Sequence, residues 1–187
     1  MKSIKSLVWP LVLMFVLASI YRVIPGRPAG FAPQLALALF GGAVVKDKRW
    51  AFILPVISMF ISDLLYQGLF AAGLCSFPGF YEGQWINYLL IASVTVFGFM
   101  VKKISVTNVF IVSLLGPTYF FIVSNFLTWA GVGEYVEYPK TWDGLMSCYT
   151  VALPFYKNSI FATLIFSAIL FGSYVLITRK RGSLAKA

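Results

Sequence analysis

QLALALFGGAVV, residues 34–45, is the stretch that decides the fold. After its first residue it is apolar on every helical face, and KDKR follows at 46–49. At 12 residues it is shorter than the roughly 20 of a standard membrane crossing. Two readings follow, a short crossing completed by the preceding loop or a re-entrant segment. In either, non-helical backbone at that depth has to be shielded by protein. Gly41 and Gly42 would admit another helix at close range. The preceding loop, PGRPAGFAP at 25–33, holds three prolines and two glycines and is therefore stiff and poor in backbone donors.

Working outward, five further apolar runs cover about 7–24, 50–66, 84–101, 105–129 and 155–178. The last is cut from a nearly uncharged stretch, 145–178, which at 1.5 Å per residue is too long for one perpendicular helix. Pro154 is the expected break, and Gly116–Pro117 is a second expected break, inside the fifth run. The basic start MKSIKS resembles a signal peptide, but no small-x-small cleavage site follows, so an uncleaved first helix is expected. If 34–45 crosses, there are six spans, and 11 of the 15 basic residues fall on one side, accompanied by the single acid Asp47. A re-entrant 34–45 would put KDKR on the other side. The positive-inside rule therefore favours six crossings with both termini cytoplasmic. The expected fold is all-α, a compact six-helix polytopic bundle with a short second span, forming one integral membrane domain over 1–187.

Composition agrees. Hydrophobic residues make up 60% and charged residues 11%, with a mean hydropathy of +0.86, whereas soluble domains are about a quarter charged. The net charge of +9 sits in short clusters between apolar runs, which is a topology signal and not a nucleic-acid footprint. The chain has no histidine, which excludes a Ser-His-Asp triad and a histidine metal centre. Cys75 and Cys148 lack metal-ligand spacing and read as ordinary apolar thiols. There is no phosphate-binding Gly-Lys loop, so the chain is not expected to hydrolyse ATP. No cofactor, no metal and no catalytic residue is expected.

The candidate site lies at the end opposite the basic clusters. Asp63, in ISDLLYQ, is an acid inside a span and must be paired or wet. It either pairs with Lys157, which lies at a similar depth, or contacts a ligand, an ion or solvent. Gln34, Asn87, Asn125 and Asn158 reach comparable depths and either line a pocket or bond between helices. Asn125 and Trp129, four apart, share a helical face. Trp85, Trp129, Tyr138 and Trp142 belong to an aromatic cluster near the outer loops, fit for an interfacial belt or for stacking on a ligand. The expected pocket lies under the loops 67–83 and 131–144.

The patches FAPQLALALFGGA (31–43), RWAFILPVISMFISDLL (49–65), SNFLTWA (124–130) and GLMSCYTVALPFYKNSI (144–160) resemble a small uncharacterised bacterial family of membrane transport proteins. More distantly, the size and six-span plan are similar to the substrate-binding S-components of energy-coupling-factor vitamin transporters. That resemblance implies residence in the bacterial cytoplasmic membrane and uptake of a small, vitamin-like organic ligand. It also implies a transmembrane coupling subunit with two ATPases as partner, beside membrane lipid. VLASIYR at 16–22 lacks the clear small-xxx-small pattern of coupling-subunit docking. The competing expectation is a non-catalytic scaffold for envelope assembly.

Overall fold

The computed structural model describes residues 13–132 and 137–184, and these form an all-α bundle of six helices. They are α1 (Leu13–Arg22), α2 (Gln34–Val44), α3 (Lys48–Ala71), α4 (Gln84–Phe99), α5 (Val106–Ala130) and α6 (Trp142–Leu184). The expected start of the first span, 7–12, and the basic residues Lys2, Lys5 and Lys186 lie outside the described residues. Three helices, α3, α5 and α6, are long and apolar enough to cross a membrane, and less than a third of the most apolar window of each is buried. That much apolar surface is served by lipid, so the chain is a multi-span membrane protein.

α2 is the axle. Nine of its 11 residues are buried, and it packs against α3, α4, α5 and α6. One side, with Leu35, Ala38 and Leu39, joins Met59, Ile91, Val94 and Val112. The other, with Ala36, Leu37 and Phe40, joins Phe15, Ala18, Leu170 and Phe171. The all-round apolar reading of 34–45 therefore has its cause: α2 has no solvent or lipid face to spare. Gly42 and Gly98 meet where α2 crosses α4. Pro55, buried inside α3, cannot bond to the carbonyl of Ala51. That carbonyl lies 3.4 Å from where a Cβ of Gly41 would be, so the glycine admits α2 at that point.

Helix ends follow local chemistry. Asp47 caps α3 by accepting from Arg49 N at 2.9 Å, and Ser105 caps α5 by accepting from Asn108 N at 3.3 Å. α5 ends at Gly131 with φ 81°, the left-handed conformation that glycine adopts without penalty.

Two expected breaks are absent. α6 runs through Pro154, and α5 runs through Gly116 and Pro117. One proline removes one rung and costs about 3 kcal/mol. Stopping a helix in hydrocarbon would strand up to four N–H and four C=O groups, each worth several kcal/mol there, so continuation wins. The expected span 155–178 is instead part of a 43-residue helix about 65 Å long, roughly twice the hydrocarbon thickness.

Candidate functional site

The predicted Asp63–Lys157 pair does not form. Asp63 pairs with Arg22 of α1, while Lys157 is exposed on α6. Similar depth, the ground for expecting the pair, does not fix which way round a helix a side chain points. α1 and α3 lie side by side and are laced together. Ser19 Oγ and Ser58 Oγ are 2.9 Å apart, Arg22 Nη1 donates to Ser62 Oγ at 2.7 Å, and Tyr66 OH donates to Arg22 O at 2.7 Å. The other carboxylate oxygen of Asp63 accepts from Gln84 Nε2 at 2.5 Å and from Tyr88 OH at 2.8 Å, both on α4. Gln84 also holds the α3–α4 loop, donating to Gly79 O at 3.0 Å and accepting from Tyr81 N at 3.3 Å. The acid expected to be paired or wet is thus paired, and it clamps three helices and a loop.

Beside this clamp is a cavity of about 640 Å³ at the end of the bundle opposite the basic turns. Its walls come from the α1–α2 loop (Gly30, Ala32), the start of α2 (Gln34, Leu35), and α4, α5 and α6. Arg22, Tyr81 and Tyr138 also border it. The rings of Phe121 and Tyr156 stack with centroids 4.4 Å apart and planes at 21°. Tyr156 OH lies 2.9 Å from Thr118 Oγ1, which fixes the ring edge. Asn87 Nδ2 donates to Tyr81 OH at 2.7 Å, and Asn125 Nδ2 to Phe121 O at 2.7 Å. Each amide therefore leaves its carbonyl oxygen for another donor. Cys148 is buried at the wall, and Cys75 lies away from it. Among the described residues no group of His, Cys, Asp or Glu could hold a metal ion.

Of the nine expected ligand-binding residues, the structure brings Gln34, Asn87, Asn125 and Tyr138 to this cavity. Five do not line it. Asp63 sits behind Arg22. Asn158 donates to Ala29 O at 2.8 Å and holds the α1–α2 loop on α6, where a Cβ on Gly30 would overlap the backbone of Phe155. Trp129 Nε1 donates to Pro139 O at 2.9 Å, and Lys140 Nζ returns a bond to Trp129 O, stapling the loop after α5. Trp85 and Trp142, 58% and 71% exposed, have the character of an interfacial belt. Sequence reasoning missed Arg22 and the Phe121–Tyr156 pair. Arg22 carried a signal, since it ends one outward span at the depth where Asp63 lies in another. Aromatics within long apolar runs carried none.

Residues 2–184 match the model of a family of unknown function, DUF6580. No curated protein and no solved structure matches the chain.

Proposed function

The chain belongs to the DUF6580 family of unknown function, and from that premise we propose that it binds a small organic molecule in this cavity and serves its uptake across the membrane. The cavity carries the proposal. Its 640 Å³ falls within the roughly 300–1,000 Å³ of small-ligand sites, and ring walls with a few converging amides are what such sites use. Phe121 and Tyr156 offer a flat apolar face for a planar group, while Asn87 and Asn125 offer acceptors that orient it. No catalytic step is assigned.

In this reading α1, α2 and α4 also cross, the short α2 being tolerated because protein surrounds it. Six crossings put both termini in the cytoplasm of a bacterium by the charge rule and open the cavity to the outside. The S-component likeness and a coupling subunit with ATPases belong to the same proposal, supported by the six-helix plan alone. Orientation has a direct test. Single cysteines at 47 and 102, in a background without Cys75 and Cys148, are expected to react with an impermeant maleimide only from the cytoplasmic side. A cysteine at 82 should react only from outside. Outside labelling at 47 would remove the six-crossing scheme.

Binding is tested by incubating purified protein with a metabolite extract, washing, and identifying retained molecules by mass spectrometry. One class of small organic molecule is expected. Phe121→Ala should cut its retention about tenfold, the equivalent of roughly 1.4 kcal/mol of lost ring contact. Trp85→Ala, away from the cavity, should leave it unchanged. No metabolite retained above empty micelles would defeat the proposal, and stable association with envelope-assembly proteins would then favour the scaffold.

A further inference from the structure

A helix in a lipid-embedded protein normally keeps its backbone groups paired, because hydrocarbon supplies no substitute. α2 departs from this at its first turn. Its first rung is Leu37 N to Pro33 O at 2.9 Å. The N–H groups of Gln34, Leu35 and Ala36 come before that rung and meet no acceptor among the described residues, and Pro33 at the cap has no side chain to offer one. All three residues are buried within the protein. N–H groups of a first turn point outward along the helix axis, and Ala32, Gln34 and Leu35 border the cavity.

A second observation is independent of the helix end. Gln34 is 3% exposed, and neither its Nε2 nor its Oε1 has a partner. Arg22, on the same cavity wall, commits Nη1 to Ser62 and Asp63 and leaves Nε and Nη2 over. The oxygens of Asp63 are taken by Arg22, Gln84 and Tyr88. Among the described residues this region therefore holds more donors than acceptors.

We infer that the start of α2 is the subsite for a carboxylate group on the organic ligand. It receives the N–H groups of residues 34–36 and Gln34 Nε2, with the guanidinium of Arg22 at its flank. The inference rests on the cavity being a ligand site and adds the charge class of the ligand. A helix N-terminus carries about half a positive charge and is a ready anion site, and buried helix starts receive substrate carboxylates in membrane transporters of other folds. One negative charge suits it. Arg22 is already neutralised by Asp63, so a doubly charged phosphate ester would be left under-compensated where desolvation is severe.

Two measurements on the purified full chain test this. In the first, sodium benzoate is compared with benzamide at equal concentration and matched ionic strength. Benzoate is expected to raise the melting temperature in a concentration-dependent way, benzamide clearly less, and Q34E is expected to abolish the benzoate shift. Equal protection by the two probes would overturn the carboxylate assignment while leaving cavity binding standing.

The second measurement needs no ligand. Q34E places a nearly isosteric carboxylate at the subsite. If the subsite favours an anion, the ionised carboxylate stabilises the fold, and that contribution is lost as pH falls and the group takes up a proton. The melting temperature of Q34E relative to the wild-type chain should then drop from pH 7 to pH 4. A Q34E protein that gains stability relative to wild type on acidification, or that does not fold at neutral pH, shows a site hostile to negative charge and overturns the inference. This arm decides when neither probe binds, and metabolite retention remains the separate test of the cavity.

Discussion

Asp63→Leu is expected to destabilise the protein by about 3–5 kcal/mol, the usual cost of removing one member of a buried ion pair. The side chain of Asp63 is 2% exposed and that of Arg22 19%, so the arginine left behind could reach little water. Gln84 and Tyr88 would each lose an acceptor as well, and a buried donor without a partner is itself costly. Arg22→Met combined with Asp63→Leu should recover most of the loss, because two apolar side chains of similar volume leave nothing charged to compensate. Lys157→Met should change stability by no more than about 0.5 kcal/mol, as is usual for an exposed side chain. Unfolding titrations in mixed micelles would measure the wild type, the three single variants Asp63→Leu, Arg22→Met and Lys157→Met, and the two doubles that pair Asp63→Leu with each of the others. Strict additivity of the Arg22 and Asp63 losses, or non-additivity between Asp63 and Lys157, would refute the clamp as described. A functional consequence is coupled to this. Gln84 joins Asp63 to Gly79 and Tyr81, and Tyr81 holds Asn87 at the cavity. Loss of the carboxylate should therefore loosen the α3–α4 loop and weaken ligand retention even in molecules that remain folded.

How far the sequence reached can be argued from the same residues. QLALALFGGAVV was legible as a short apolar segment whose backbone has to be shielded from lipid or water, and in α2 the shield is the surrounding protein. The expected start of the fifth run at 105 agrees with α5 because the Ser105 side chain caps it, whereas α3 begins ahead of the expected position 50 because Asp47 caps it. Pro154 misled because a length rule for a perpendicular crossing was applied to a helix with no obligation to be perpendicular or to end at the lipid boundary. Partner choice was the least legible feature. Lys157 is the partner that depth suggests for Asp63, and only the packing of α1 along α3 gives the carboxylate to Arg22 instead. The cavity divided in the same way. Gln34, Asn87 and Asn125 reach it as buried or half-buried amides, a placement that apolar surroundings enforce. The tryptophans do not, because an amphipathic ring near a helix end is as well served by the interface or by a loop carbonyl.

Gly98→Ala is expected to cost about 3 kcal/mol, the upper range for overpacking, although the substitution normally helps a helix by up to about 1 kcal/mol. A Cβ at 98 would overlap the carbonyl oxygen of Leu39 and lie 2.8 Å from the Cα of Gly42. A Cβ at 42 would in turn overlap the carbonyl oxygen of Thr95 and lie 2.9 Å from the Cα of Gly98. These neighbours are backbone, and no rotamer change can move them aside. The added methyl can be housed only by driving α2 and α4 apart, which opens the cluster of Leu39, Val94 and Val112. Gly172→Ala in α6 is the matched control. Nothing lies within 4 Å of its added methyl, so it should be neutral or slightly stabilising. Thermal unfolding of the two variants in the same detergent would show opposite signs, and equal shifts would mean that the α2–α4 contact is looser than described. The displacement also reaches the cavity. Gly42 is two turns from Gln34 along a stiff 11-residue helix, so a tilt of α2 at its α4 crossing swings its first turn away from the cavity wall. Gly98→Ala should therefore reduce ligand retention by more than its stability loss alone accounts for, whereas Gly172→Ala should leave retention intact.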